Sequence, residues 1–238
     1  MKSKEIVMYH FNYTDENFLI VAENVFNISK LNNIKEMYER KNSENTDIDQ
    51  INLIKKSLGV AVDEVRKSTE YYHIWEDDKI LEQEIFKKYS YVMYPPMART
   101  VKDKKSFVDW HQDEAYMRLA KVKQNNTITC FIPLEHDLIN KPNLQFIDNM
   151  ESKEITHKDK KTIINSIYIE RKIKGKLINP TLALGGCYIF GQKVVHRTHT
   201  NCKNFEKRTS LEFRITEEKS LIKDKDYFDL KQKKWVKT

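Results

Sequence analysis

A histidine and an aspartate lie two positions apart in the stretch SFVDWHQDEAY, at His111 and Asp113. Imidazole nitrogens and carboxylate oxygens are side-chain ligands that first-row transition metals accept readily. The alternating pattern around the pair predicts a strand, and every second side chain of a strand points to the same face. We therefore expect the two side chains to offer adjacent ligands to one metal ion.

The spacing alone carries little weight, because the chain has 35 acidic residues and 7 histidines among its 238 residues. A second such pair, His157 and Asp159 in ITHKDKK, lies in a charged stretch without a strand pattern and is interpreted as solvated surface. A metal site needs a further ligand from a distant strand. His196, at the end of the apolar run KVVH, is the candidate, and His199 in the predicted turn that follows is the alternative.

Two histidines and a carboxylate form the facial triad of non-haem Fe(II) oxygenases, which leaves three coordination positions open. Two of these positions can take a chelating 2-oxo acid, and the third can take O2. The far carboxylate of the 2-oxo acid needs a cation, and an arginine fork binds a carboxylate through two bonds. Arg208 lies 12 positions after His196, and Ser210 shares its strand face. Arg214, on the same face, is either a second cosubstrate contact or a salt-bridge partner of Glu212.

Several other residues are candidates for lining this site. Thr129, on the predicted strand TITCFIP, is a candidate contact to the cosubstrate, although threonine is common on any half-buried strand. Tyr94, Tyr116 and His199 are candidate substrate residues. Aromatic side chains in a β-sandwich are usually part of its core, so a core position is the alternative interpretation for the two tyrosines.

The secondary structure that positions these residues is predicted from the hydrophobic pattern, which changes from helical to strand-like near residue 89. Residues 1–88 predict a helical N-terminal layer, with helical patterns in NISKLNNIKEMYERK, DIDQINLIKKSLG and the stretch ending in IFKKYS. Residues 89–216 contain short runs rich in β-branched and aromatic residues, bounded by Pro, Gly, Asn or Lys. The chain is therefore predicted to be a single domain, 1–238, of the α+β or mainly β class. It would have a jelly-roll core, helices packed outside it, a long excursion at 150–176 and a C-terminal extension at 217–238.

The motif WHQDEAY, together with the later pattern H…N…RTSLEFR, resembles the phytanoyl-CoA dioxygenase-like family of Fe(II)/2-oxoglutarate-dependent oxygenases. The likeness extends over residues 91–215. It implies a cupin-like double-stranded β-helix in which His111, Asp113 and His196 hold iron and Arg208 with Ser210 binds the C5 carboxylate of 2-oxoglutarate. Two segments, KPNLQF and IDNMESK, depart from the family pattern in the region that shapes the substrate pocket, so the substrate is left open.

The resemblance also implies a reaction. With Fe(II) and O2, 2-oxoglutarate is converted to succinate and CO2 while an unactivated C–H bond of the substrate is hydroxylated. The expected substrate is a small molecule, either a metabolite or a biosynthetic intermediate. Halogenating relatives have a small residue at the position of Asp113, so its carboxylate favours hydroxylation over halogenation. The sequence does not separate hydroxylation from desaturation or epimerisation.

Two other functions are compatible with parts of the sequence. A nucleic-acid oxidative dealkylase of the same superfamily is suggested by the net charge of +7 and by the Arg-x5-Arg spacing of Arg208 and Arg214. The lack of Asn-x-Tyr-x-x-Gly before the metal pair and the 83-residue interval from Asp113 to His196 argue against it. A non-catalytic jelly-roll binding protein is the third option, but such a protein would be expected to have lost part of this residue set.

Net charge and cysteine content limit which partners and which cellular compartment are expected. The lysines are scattered rather than gathered in a stripe, so the basic balance is interpreted as a solvated surface and a nucleic-acid partner is not expected. Cys130, Cys187 and Cys202 fit neither a disulfide framework nor a zinc site and predict reduced thiols of a cytoplasmic protein. Apolar runs are too short to span a membrane, so no membrane partner is expected. The oligomeric state is left open.

Overall fold

A computed structural model describes the protein over most of its length. The described residues are 7–14, 17–43, 74–76, 81–93, 96–115, 127–135, 140–148 and 175–238. Within them the chain forms twelve strands, which are β1 (Val7–Thr14), β2 (Asn17–Glu23), β3 (Tyr91–Met93), β4 (Met97–Val101), β5 (Thr127–Pro133), β6 (Asn143–Asp148), β7 (Lys176–Ile178), β8 (Cys187–Gly191), β9 (His196–His199), β10 (Arg208–Thr216), β11 (Asp226–Asp229) and β12 (Lys234–Lys237). The helices are α1 (Ile28–Ser43) and α2 (Glu84–Lys88), with short 3-10 turns at Ile74–Glu76, Lys104–Ser106 and Glu218–Ser220.

The strands form two antiparallel sheets. The large sheet has nine strands in the order β1-β2-β8-β5-β10-β3-β11-β12, and β4 also pairs with β10. The small sheet has the order β7-β6-β9. From β2 to β11, neighbouring strands of the large sheet are distant in sequence, as is usual where strands return by long connections. This mainly β, two-sheet architecture confirms the predicted fold class.

The two faces of the large sheet have different neighbours. On the outer face, alternate residues of β5 and β10 pack against the helices, and Phe213 lies edge-on to Trp75 at a ring distance of 5.4 Å. Leu31 and Ile34 of α1 and Phe86 of α2 complete this core. The helices therefore lie outside the sheet, as predicted.

The inner face of the large sheet meets the small sheet. Phe131 of β5 and Tyr188 and Phe190 of β8 pack against Leu144 and Phe146 of β6. These aromatic contacts hold the sheets together on one side of the interior. The polar residues of β10 occupy the same interior, which is where the candidate site lies.

The N-terminal region differs from the predicted helical layer at residues 1–88. Strands β1 and β2 form an antiparallel pair there, and β2 joins the large sheet beside β8. The runs VMYHFNYT and NFLIVAE are rich in β-branched and aromatic residues, and the pairing of β1 with β2 and of β2 with β8 outweighs any local helical preference. Helix α1 is confirmed, and the side chain of Asn27 accepts hydrogen bonds from the backbone amides of Ser29 and Lys30 at its start.

Some predicted elements cannot be compared with the structure. The expected helix at 47–59 and nearly all of the excursion at 150–176 lie outside the described residues. The C-terminal extension adds β11 and β12, which continue the large sheet beyond β3. No helix in the described residues is both long enough and apolar enough to cross a membrane.

Candidate functional site

The segment that carries His111 and Asp113 is not the strand that its alternation predicts. A 3-10 turn occupies Lys104–Ser106, and Asp103 and Ser106 cap it with reciprocal side-chain bonds. His111 then makes an isolated β-bridge, and Asp113 opens a stretch of helical residues, 113–115. The capped turn interrupts the extended chain, because Asp103 and Ser106 satisfy backbone groups that a sheet would otherwise pair.

The bridge partner of His111 is His196. The backbone amide of each residue donates to the carbonyl of the other at 3.0 Å. Directly opposed residues of an antiparallel pair have their side chains on the same side, and the two imidazole rings lie 4.1 Å apart. The bridge therefore brings together two histidines that are far apart in sequence.

Strand β9 begins at His196, whereas the sequence predicts that the strand KVVH ends there. A turn at residues 192–193 follows β8, so the apolar residues before His196 lie in the connection. His199 lies at the opposite end of β9 and on the other face, and its Nε2 contacts Oδ1 of Asn201 at 2.9 Å. His199 is therefore not part of the same cluster as His196.

His111, Asp113 and His196 form a buried group whose candidate ligand atoms all lie within 4.8 Å of one another. The Nε2 atoms of both histidines are 3.9 Å from Oδ1 of Asp113. Three side chains with this donor set and spacing match the two-histidine, one-carboxylate arrangement of a transition-metal site. The structure thus joins the three residues that the sequence singles out.

Backbone contacts orient both imidazole rings. Nδ1 of His111 donates to the carbonyl of Asp109 at 2.7 Å, and Nδ1 of His196 donates to the carbonyl of Val194 at 3.0 Å. A carbonyl can only accept, so each Nδ1 carries a proton, and the neutral form of each ring presents the lone pair of Nε2 to the cluster. Burial, together with the neighbouring His196, lowers the pKa of His111 to about 3, which keeps this ring neutral at physiological pH.

Two further side chains hold the carboxylate of Asp113. Oγ1 of Thr129 donates to Oδ2 at 2.5 Å, and Nη2 of Arg214 lies 3.1 Å from Oδ1. Burial alone would raise the pKa of Asp113, but Arg214 and the two histidines lower it to about 2. Asp113 is therefore an ionised ligand candidate. Thr129 thus reaches the site through this carboxylate, and its predicted contact to the cosubstrate stays a prediction.

Arg208 and Ser210 lie on the inner face of β10 and are fully buried. Nη1 of Arg208 donates to the carbonyl of Pro142 at 3.1 Å, and its guanidinium lies 4.9 Å over the ring of Phe131. Nε and Nη2 of Arg208 and Oγ of Ser210 have no hydrogen-bond partner among the described residues. Burial and the nearby Arg99 lower the pKa of Arg208 to about 10, so the guanidinium is still a cation at neutral pH. Unpaired buried donors on a cation are costly unless an anion binds them.

Arg99 is a second cation near Arg208, and it is not among the residues that the sequence singles out. Strand β4 pairs with β10 so that Arg99 lies opposite Ser210. Nη2 of Arg99 donates to the carbonyl of Ser106, in the turn that leads to His111. No local signal distinguishes Arg99 in the run MARTV, because its role depends on which strand lies beside β4.

Arg214 forms the ion pair with Glu212 that the sequence offers as one interpretation, and its contact to the cosubstrate stays a prediction. Besides its contact to Asp113, its Nη2 lies 3.7 Å from Oε2 of Glu212, and its buried Nη1 has no partner in the described part of the chain. The remaining candidates, Tyr94 and Tyr116, lie outside the described residues. They stay predictions.

Comparisons with known proteins bear on the fold. No protein-family profile matches the sequence. No curated protein matches it significantly. EctD from S. alaskensis with 2-oxoglutarate and 5-hydroxyectoine is similar at a TM-score of 0.61 and 11% identity, over 94% of this chain and 80% of EctD. The epimerase SnoN with Fe3+, alpha ketoglutarate and nogalamycin RO is similar at a TM-score of 0.57 and 10% identity, over 85% of this chain and 80% of SnoN. HygX from Streptomyces hygroscopicus with nickel and 2-oxoglutarate is similar at a TM-score of 0.56 and 9% identity, over 86% of this chain and 84% of HygX.

Other matches are shorter. The chain spans 62% of a second SnoN structure and 54% of the carbocyclase SnoK, at TM-scores of 0.44 and 0.41. The longer alignments, at identities near one residue in ten, establish a shared fold. The chain therefore has the cupin-like double-stranded β-helix, with helices outside, that the sequence predicts.

Proposed function

We propose that this protein is an Fe(II)/2-oxoglutarate-dependent dioxygenase that hydroxylates an unactivated C–H bond of a small molecule and releases succinate and CO2. The observation that carries the proposal is the buried cluster of His111, Asp113 and His196, with ligand atoms within 4.8 Å of one another and both Nδ1 atoms bound to carbonyls. That arrangement leaves one carboxylate and two neutral imidazole lone pairs for a metal, which is the donor set that Fe(II) takes in this chemistry.

The buried donors of β10 support a cosubstrate with a carboxylate at its far end. Arg208 and Ser210 have three unpaired polar atoms between them, and Arg99 lies across the strand pair from Ser210. A carboxylate between these groups would satisfy the unpaired donors and separate two arginines that repel each other. We assign the C5 carboxylate of 2-oxoglutarate to this position, with Arg208 as its main anchor.

Under this proposal, three groups of residues in the site have different roles. The histidines and Asp113 would hold Fe(II), which, when bound with 2-oxoglutarate and O2, supplies the oxidising chemistry. Arg208 and Ser210 would bind and orient the cosubstrate. The aromatic wall of Phe131, Tyr188 and Phe190 would exclude water from one side of the interior.

A small-molecule substrate is supported by the structural neighbours. EctD is crystallised with 5-hydroxyectoine and SnoN with nogalamycin RO, and both structures contain the cosubstrate. The carboxylate of Asp113 occupies the ligand position that a halide would need, which favours hydroxylation. The paired arginines of β10 keep nucleic-acid dealkylation as the alternative that experiment should test.

The proposal predicts that purified protein forms succinate from 2-oxoglutarate only when Fe(II) and O2 are both present. Asp113→Ala is expected to reduce succinate formation to the level without enzyme, because the site loses its only carboxylate ligand. Asp148→Asn, which changes a carboxylate outside the cluster, serves as the matched control and should retain wild-type turnover.

A screen of amino acids, sugars, acyl thioesters and modified nucleotides for stimulated succinate formation would then identify the substrate class. Wild-type protein loaded with Fe(II) that forms no succinate with any of these would contradict the hydroxylase proposal. Stimulation by modified nucleotides, with DNA binding that weakens steeply as salt rises, would favour the dealkylase instead.

A further inference from the structure

Thr129 makes a contact that neither a core residue nor a cosubstrate residue needs. It lies on the inner face of β5, directly opposite Arg214 of β10, and its side chain is buried. Its hydroxyl donates to Oδ2 of Asp113 at 2.5 Å. Hydroxyl-to-carboxylate bonds of this length are among the strong, charge-assisted hydrogen bonds.

The bond makes the two oxygens of Asp113 unequal. Oδ1 lies 3.9 Å from Nε2 of each histidine, whereas Oδ2 is held by Thr129 on β5. The torsion that exchanges the two oxygens of an aspartate has a broad energy profile, so without a partner the carboxylate turns easily. Thr129 holds Oδ2, while Oδ1, which Arg214 contacts at 3.1 Å, is left facing the histidines.

The number of coordination positions gives this restraint a chemical consequence. An octahedral ion bound by two histidines and one carboxylate oxygen keeps three positions, enough for a chelating 2-oxo acid and O2. If both oxygens of Asp113 bound the ion, two positions would remain and the 2-oxo acid alone would fill them. A site of this class therefore benefits from a group that restrains the second oxygen.

We propose that Thr129 is a positioning residue that restrains Oδ2 of Asp113 and so presents this ligand to the metal through Oδ1 alone. The inference rests on the proposed function, since it needs a metal at the cluster. It assigns Thr129 a role different from the cosubstrate contact that the sequence predicts.

Thr127 provides a matched control on the same strand and the same face. Its hydroxyl is also buried, and it is hydrogen-bonded to Oγ1 of Thr216 at 3.3 Å, away from Asp113. Replacing either threonine with valine removes one hydroxyl and conserves side-chain shape. A difference between the two variants therefore reports the contact to Asp113 rather than the loss of a buried hydroxyl in β5.

The experiment titrates metal-free protein with Ni(II) against a competing chelator. Thr129→Val is expected to weaken Ni(II) binding by about 10- to 100-fold, the usual effect of removing a group that orients a metal ligand. Thr127→Val should bind within about twofold of wild type, and Thr129→Ser, which keeps the hydroxyl, should restore most of the affinity. Thermal unfolding of each variant verifies folding, and Thr129→Ala replaces the valine variant if that one does not fold.

Two results would overturn the inference: Thr129→Val (or the alanine variant) with wild-type affinity for Ni(II), or Thr129→Ser as weak as Thr129→Val. A loss of 2-oxoglutarate affinity at saturating Ni(II), with metal affinity unchanged, would return Thr129 to the role of a cosubstrate contact. If the wild type itself binds no Ni(II), the proposed function fails. The titration thus separates the failure of the two proposals.

Discussion

The two faces of β10 differ in burial and in chemistry, because the outer face is buried throughout whereas Glu212 and Arg214 on the inner face are partly exposed. The outer face presents Thr209, Leu211, Phe213 and Ile215, and the last three pack into the apolar core under the helices. The inner face presents Arg208, Ser210, Glu212 and Arg214 to the interior between the sheets. One strand thus combines a face that stabilises the protein with a face built from charged and polar groups.

The difference lies in whether the folded chain satisfies its own side chains. On the outer face, apolar atoms are removed from water, and the hydroxyl of Thr209 is hydrogen-bonded to the hydroxyl of Thr100 at 3.2 Å. On the inner face, atoms of Arg208, Ser210 and Arg214 have no partner among the described residues. An unmade buried hydrogen bond costs about 1 to 3 kcal/mol, and we propose that bound 2-oxoglutarate supplies partners on the inner face.

The largest expected effect is on the outer face. Phe213→Ala should lower the free energy of unfolding by about 3 to 5 kcal/mol, because it leaves a cavity beside Trp75. Urea unfolding measures this loss, and 2-oxoglutarate affinity per folded molecule should stay at the wild-type value. A weaker affinity in the folded variant would mean that the two faces are not independent.

On the inner face, a substitution is expected to have a smaller effect, and to lower ligand affinity rather than stability. Arg208→Met should weaken 2-oxoglutarate binding by about 2 to 3 kcal/mol, or about 30- to 150-fold, because it removes the charged donor to the far carboxylate. Metal affinity should be retained. The free energy of unfolding should change by less than about 1 kcal/mol, since the loss of one bond to Pro142 is offset by removal of a buried charge.

Isothermal titration with 2-oxoglutarate at saturating Ni(II) measures the affinity, with Arg214→Met as the companion variant. Wild-type affinity in Arg208→Met, together with a large loss in Arg214→Met, would transfer the anchor to Arg214. Loss of metal binding in Arg208→Met would contradict the separation of anchor and metal ligands along β10.

The sequence predicted those strands that a local pattern of side chains marks. β5, β6, β8 and β10 match runs of apolar and β-branched residues bounded by turn residues, and burial of those runs decides their conformation. The N-terminal strands β1 and β2 were missed, although their runs are rich in β-branched and aromatic residues. β1 pairs with β2, and β2 joins the large sheet beside β8, more than 160 residues later in the chain. The identity of that distant neighbour leaves no signal in the local sequence.

The candidate site shows the same division. The residue types and the order of His111, Asp113 and His196 were sufficient to group them, yet the predicted strand around the first two is a capped turn, a bridge and a helical start. Arg99 and the contact of Thr129 to Asp113 could not be predicted, since both depend on which strands lie side by side. Candidate ligands could be named from residue types and their order in the sequence, whereas the contacts that orient these side chains depend on the fold.

The central claim, that the cluster holds Fe(II) together with 2-oxoglutarate, is tested most directly by an anaerobic titration followed by visible absorption. Wild-type protein with both added should develop a metal-to-ligand charge-transfer band that saturates near one equivalent of Fe(II), and Asp113→Ala should show none. No band in the wild type, or an equal band in Asp113→Ala, would contradict the claim.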